Sequence, residues 1–296
     1  MKTRKGILTQ VDVDRMETLG KAMQRALSSD DGLVALAAEM VPEISRELEE
    51  KFWVPLVFRE DPLPAGKVPK YRVKQDVEVH WMAPGGEPAR QRIRKGQEIQ
   101  FPLETVEAFI IVKARDLKMG YVSDLTTQQA EAGRKMRNKI NAAAAGVLSA
   151  AADAANTEGT QNVFEIASGG KLTLDAVKAA LRFYEDQEMS IKQMVMRGAR
   201  LVDLYDWALP TEVQSELLRA GVLKKLGTAG LIGTSSANSS EVICTPDEEI
   251  GVYAIGSALT VEPWRDVPKD EVGFVARMEV SLGVLQPSRV FKITIA

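Results

Sequence analysis

The 296 residues are enough to bury a sizeable core in one or two domains, and 45% hydrophobic with 27% charged residues is the balance of an ordinary globular protein. A formal net charge of −3 gives no support to a dedicated nucleic-acid-binding domain, and no apolar run approaches the roughly 20 residues that span a bilayer. The basic start Met1–Gly6 runs into polar Thr9-Gln10-Val11-Asp12 instead of a signal-peptide core, and the single cysteine, Cys244, rules out an internal disulfide framework and fits a reducing compartment.

Two helices open the chain. Val13, Met16, Leu19, Met23 and Leu27 recur at three- and four-residue steps over 11–28, and Leu36, Met40, Ile44 and Leu48 do so over 31–51. Pro42 is expected to kink or divide the second. The apolar run Phe52–Phe58 follows, then a linker from Glu60 to Gly66 with two prolines and a glycine.

Residues 69–103 predict a long β-hairpin. Tyr71, Val73, Val77, Val79 and Trp81 alternate with Arg72, Lys74, Asp76, Glu78 and His80, the period-two pattern of a half-exposed strand. Ala83–Pro88 is the turn. The return strand sets Ile93, Ile99 and Phe101 against Arg90, Arg92, Arg94 and Glu98, with Gly96 as a bulge. Arms of this length reach roughly 40 Å. A two-stranded ribbon is marginal alone in water, and nothing else in the chain offers a surface for it. Eight Lys/Arg and five Asp/Glu between Lys67 and Glu104 point to pairing with carboxylates of a neighbouring chain ahead of phosphate contact.

Thr105–Arg115 reads as an apolar strand. A helix from about Thr126 to Ala154 follows, opened by a Thr126/Gln129 capping box, basic in its first half through Arg134, Lys135, Arg137 and Lys139. Its small stretch Asn141–Gly146 permits close approach by a neighbour. Then come a strand at Asn162–Ile166, a helix at Leu174–Met189 and a central strand at Met194–Met196. Helices are expected near Ala199–Trp207 and Thr211–Ala220. Gly227–Ser240 is made of small residues and reads as an exposed, mobile loop. The tail is β: Glu241–Cys244, Gly251–Glu262, Gly273–Leu285 and Arg289–Ile295.

Catalytic patterns fail one by one. His80 is the only histidine and sits in the solvent-facing register of the hairpin, so triad and zinc chemistry lack their parts. Gly169-Gly170-Lys171 misses phosphate-loop spacing, since Glu165 stands at the first glycine and Leu172 at Ser/Thr. Asp247-Glu248-Glu249 lacks the alternation of a calcium loop. Cys244 in an apolar strand reads as an inert buried thiol. No catalytic, metal or cofactor site is expected.

The order of parts resembles the major capsid protein of tailed bacteriophages, the Hong-Kong-97-type capsid fold of class α+β. Gly251-Val-Tyr-Ala-Ile-Gly-Ser-Ala258 looks like that family's late central strand. Gly273–Gly283, then Pro287-Ser-Arg-Val-Phe-Lys-Ile293, look like its final strands; Leu117–Gly120 with Asp124-Leu125 is also similar. The resemblance implies an N-terminal helical arm at 1–66, an extended hairpin loop at 67–104 and a peripheral domain with a long spine helix at 105–159. That domain is completed by about 256–296, and an axial domain occupies 160–255. It implies inter-subunit contacts through the hairpin (Tyr71, Arg72, Lys74, Trp81, Arg90, Arg92, Arg94) and an axial loop (Leu231, Ile232, Ser235, Asn238).

The implied function is self-assembly, as hexamers and pentamers, into an icosahedral shell enclosing double-stranded DNA held by non-specific contact. The implied place is the virion capsid, assembled in the host cytoplasm, with no membrane. A portal is an implied partner, with a decoration protein a further one. Only some 50 residues precede the capsid-like part, from which we expect a separate scaffolding protein, or none, and no N-terminal cleavage. An encapsulin-type nanocompartment enclosing a protein cargo is the alternative.

Overall fold

The computed structural model describes residues 29–64, 67–72, 98–115, 122–166, 170–204, 222–223, 229–266 and 269–296. The first expected helix and the hairpin beyond residue 72 as far as 97 lie outside them. So does the expected helix at 211–220. The chain divides into two compact units. One takes 1–52, 105–140 and 257–279; the other takes 53–104, 141–256 and 280–296.

In the first unit, α1 (Asp30–Glu49) starts at Ser29, whose hydroxyl accepts the Gly32 N–H at 3.1 Å, with Asp30 and Asp31 in the first turn where the helix dipole favours them. Leu33, Leu36, Ala37, Met40, Ile44 and Leu48 form its buried stripe. Pro42 does not divide it: the twenty residues form one continuous helix, the buried stripe running past the single amide hydrogen that proline lacks. α3 (Val122–Thr157) begins four residues before the expected capping box, so Thr126 and Gln129 lie inside a helix whose amides are already paired. Its first part packs on α1. A Cβ on Gly133 would stand 2.6 Å from the Ile44 carbonyl oxygen, so the close helix approach is there. At Gly146, in the small stretch where it was expected, nothing lies within 4 Å of a Cβ. Arg137 of α3 donates to the carbonyls of Glu47, at 3.0 Å, and of Glu50, satisfying the end of α1.

A four-stranded sheet runs β1–β10–β11–β4, from β1 (Arg59–Pro62), β10 (Gly251–Asp266), β11 (Glu271–Val284) and β4 (Glu104–Lys113). The expected linker after Phe58 is therefore partly a strand, β1 pairing in parallel from Arg59↔Val252 to Pro62↔Ile255. Before it, α2 (Val54–Val57) buries Val54 and Val57, with Trp53 and Phe58 buried at its flanks.

The second unit is built on a six-stranded mixed sheet, β5 (Val163–Ile166), β12 (Phe291–Ile295), β9 (Glu241–Pro246), β6 (Ile191–Met196), β8 (Ala229–Gly233) and β7 (Val222–Leu223), in that order. α4 (Leu174–Glu185), capped by the Thr173 hydroxyl, lays Ala176, Val177, Ala180 and Tyr184 into a core with Met194, Met196, Val242, Cys244, Phe291 and Ile293. The Tyr184 hydroxyl, deep in this core, lies 2.7 Å from the Cys244 carbonyl and 2.9 Å from that of Arg289, and accepts the Phe291 N–H at 3.3 Å. α4 ends at Glu185, short of Met189, because Glu188 turns the chain with positive φ and the Met189 amide closes back on Tyr184. The helix expected at 199–207 is described as α5 (Gly198–Asp203).

Lys292 of β12, 5% exposed, pairs with Asp153 of α3 and stands 3.5 Å from the Ser149 hydroxyl. Its alkyl stem packs while its ammonium reaches the carboxylate.

Candidate functional site

With no catalytic constellation expected, the candidate site is a set of surfaces, and the hairpin's root is the first. β2 (Lys70–Arg72) and β3 (Glu98–Gln100) pair antiparallel with Lys70↔Gln100, Tyr71↔Ile99 and Arg72↔Glu98, as the alternation predicts. The root does rest on its own chain, which corrects the expectation of a ribbon with no internal support. The Tyr71 hydroxyl donates to Asp61 of β1 at 2.6 Å, and the Tyr71 ring lies 6.0 Å from that of Phe101. Phe101 in turn covers Gly283, where a Cβ would come within 2.2 Å of its ring. Burial first, then the Asp61 carboxylate, push the Tyr71 phenol above its ordinary range, so it stays a neutral donor. Tyr71 thus anchors the ribbon's root on its own chain. Lys74, Trp81, Arg90, Arg92 and Arg94 lie outside the described residues, and Arg72 is placed by its backbone pairing alone.

The second surface is the segment read as a mobile loop. Residues 229–233 form strand β8, parallel to β6 with Met194↔Leu231 and Val195↔Ile232. Leu231 packs on the sheet's own core and Ile232 is half-buried. The turn that follows is pinned: Thr234 N–H donates to the Met196 carbonyl at 2.9 Å, Ala237 is buried, and the Ser240 carbonyl accepts the Ile295 N–H at 2.8 Å. Asn238 turns its side-chain oxygen to Ser240 N–H at 3.3 Å and Ser240 hydroxyl at 3.1 Å. Ser235 and Asn238 are exposed at the tip.

A third surface was not singled out from the sequence. On β4, Ile110 and Val112 are buried while Phe109 and Ile111 are 62% and 45% exposed. On the same unit Arg277 of β11 bridges Glu107 at 2.9 Å and Glu262 at 3.1 Å. The signal was present, because a continuous Phe-Ile-Ile-Val run puts apolar groups on both faces of a strand, and only the Ile110 and Val112 face is buried.

Cys244 is fully buried, which pushes its thiol up to about 12. Among the described residues no three His, Cys, Asp or Glu side chains group as metal ligands, and no helix is long and apolar enough to cross a membrane. An open cleft of about 430 Å³ beside β5, lined by Arg182, Phe183 and Asp186, holds no nucleophile–base pair.

No family model matches the chain, and no curated protein sequence does. Solved structures do. The chain is similar to a virus-like particle from Pyrococcus furiosus, at 12% identity and a TM-score of 0.59, over 87% of this chain and 99% of that one. It is similar to the capsid of Cyanophage P-SCSP1u, at 11% identity and a TM-score of 0.55, over 81% of this chain and 86% of that one. It is also similar to a structure from Gordonia phage Cozz, at 10% identity and a TM-score of 0.59, over 83% and 86%. Identities this low show the fold alone. With its mixed sheets and long uninterrupted helix, the chain has the Hong-Kong-97-type phage capsid fold.

Proposed function

We propose that this chain is the major capsid protein of a tailed phage, self-assembling as hexamers and pentamers into an icosahedral shell around double-stranded DNA. The observation that carries this reading is the fold likeness to a phage capsid and a virus-like particle over more than four fifths of the chain. The exposed Phe109 and Ile111 support it, since copies meeting in a closed shell cover apolar surface that one subunit leaves bare. In this reading the arm is 1–66, the extended hairpin 67–104, the peripheral domain 105–159 with about 256–296, and the axial domain 160–255. The hairpin, rooted at Tyr71, reaches a neighbour through Arg72, Lys74, Trp81, Arg90, Arg92 and Arg94. Leu231, Ile232, Ser235 and Asn238 form the axial contact. Assembly takes place in the host cytoplasm, DNA is held without sequence preference, and portal, scaffolding and decoration proteins are the further partners.

A second reading is an encapsulin-type shell around a protein cargo. It draws on the match to 99% of a chain from a particle called virus-like and not a phage. Nuclease treatment of particles from the producing host separates the two. Protected double-stranded DNA supports the phage capsid, and a folded protein cargo without DNA overturns it. Within the chain, deleting Val73–Ile99 is expected to leave a soluble subunit that no longer builds ordered shells. Normal shells from that deletion would remove the hairpin from the set of contacts.

A further inference from the structure

Arg200 of α5 makes three side-chain interactions, two of them to segments far apart in the chain. Its Nε donates to the Ser239 carbonyl at 2.7 Å, and its Nη1 donates to the Gly170 carbonyl. The same Nη1 stands 3.3 Å from the Asp203 carboxylate, which accepts the Leu172 N–H at 3.0 Å. The side chains of Arg200 and Asp203 are only 19% and 12% exposed, so these bonds are partly shielded from water. A guanidinium serves such a node because its donors sit in a fixed plane and reach separate acceptors at once, which a lysine ammonium on a flexible stem does not do.

The segment held is the turn after β8. Met196 and Ile295 fix its ends through backbone bonds at Thr234 and Ser240, and Arg200 adds a side-chain bond at Ser239, beside the second of them. Between these points Ser235 and Asn238 stand exposed. α5 itself packs against β8, since a Cβ on Gly233 would come within 2.6 Å of Leu201.

We infer that Arg200 is a positioning residue for assembly: it presets the 234–240 turn in the free subunit, so that its exposed tip meets a second copy of this chain already ordered. The inference rests on the axial contact proposed above. Ordering a turn at the moment of association subtracts directly from affinity, whereas a turn ordered beforehand adds no such cost. Each subunit in a ring makes the contact twice, so a small loss per turn is amplified in the concentration at which shells appear.

The test uses the full-length chain, with amide hydrogen exchange on unassembled subunit and a light-scattering titration of shell formation. In Arg200→Ala, exchange at 235–240 is expected to rise about tenfold or more while the sheet core keeps its protection. The concentration threshold for shells is expected to rise roughly three- to tenfold. Arg200→Lys, which keeps the charge, is expected to fail to restore either, and Lys178→Ala, which removes an exposed charge on α4, is expected to change neither. If Arg200→Ala does not fold, Asp203→Asn gives the same two readouts, because it weakens the node while keeping an acceptor for Leu172. Unchanged exchange at 235–240, or a loosened turn with an unchanged threshold, overturns the inference. Wild-type protein that forms no shells at any concentration overturns the shell reading and the assembly half of the inference, while exchange still reports whether Arg200 holds the turn.

Discussion

Two glycines in one helix make a quantitative test of the packing, because the same substitution has opposite signs at the two sites. In the interior of α3 a glycine-to-alanine change stabilises by roughly 1 kcal/mol through helix propensity alone. At Gly146 nothing lies within 4 Å of the added carbon, so that gain stands. At Gly133 the carbon would sit 2.6 Å from the Ile44 carbonyl oxygen and 2.9 Å from Glu47 Cβ. Carbonyl oxygens belong to the backbone and cannot rotate away, so α1 must shift by roughly 0.8 Å to restore ordinary contact near 3.4 Å. Moving α1 loosens Met40, Ile44 and Leu48, all buried, and overpacking of this kind costs about 1–3 kcal/mol. The propensity gain offsets part of that. Gly133→Ala is therefore expected to destabilise by up to about 2 kcal/mol and Gly146→Ala to stabilise by about 0.5–1 kcal/mol. Urea unfolding at low protein concentration, followed by circular dichroism, reads both. Equal stabilisation by the two substitutions would refute the close approach of α1 and α3 at Gly133.

Three further outcomes follow from buried polar groups. Tyr184→Phe removes a hydroxyl that serves the Cys244 and Arg289 carbonyls and the Phe291 amide, and should cost about 1–3 kcal/mol in the same unfolding experiment; a neutral result contradicts its role. Arg137→Met keeps the packing stem but strips the donors from the Glu47 and Glu50 carbonyls, and should lower stability by about 1–3 kcal/mol, with exchange rising first at the end of α1. Stability should also fall in alkali. Cys244 has a folded pKa raised from 9.0 to about 12, so its contribution is complete below pH 9 and is lost as pH rises toward 12. Tyr184 and Tyr253, raised by burial from 10.0, add to the decline above pH 10. Cys244→Ala should flatten the stability curve between pH 9 and 10, and an unchanged slope there would contradict the buried-thiol reading.

What could be read from the residues alone tracks where side chains carry the pattern. The hairpin's root was legible because Tyr71 and Ile99 alternate with charged neighbours, and that alternation is the strand's own geometry. The C-terminal strands were legible for a different reason: β9, β11 and β12 are largely apolar runs, buried almost throughout. β8 was not, because Ala229-Gly230-Leu231-Ile232-Gly233 has too few side chains to show a period, and its pairing is imposed by β6. Its glycines suit that environment: a Cβ on Gly230 would meet the Gln193 side chain at 2.3 Å. β1 was hidden by prolines that read as a linker, although a parallel edge position tolerates Pro62. Pro42 carried a breaker signal that the buried face of α1 overrode. The small stretch Asn141–Gly146 suggested close packing, yet smallness only permits approach, and the neighbour sits at Gly133. Among the proposed contact residues, Ser235 and Asn238 are exposed, but the anchoring by Arg200 joins residues 30 and 39 positions apart and leaves no local signature.

Electron microscopy of the purified protein at increasing concentration tests most directly whether copies of this chain close into a shell. Closed icosahedral particles, or ring-shaped hexamers and pentamers that convert to them, are the expected result. A protein that stays monomeric at every concentration, alone and with its co-expressed neighbours, would contradict it.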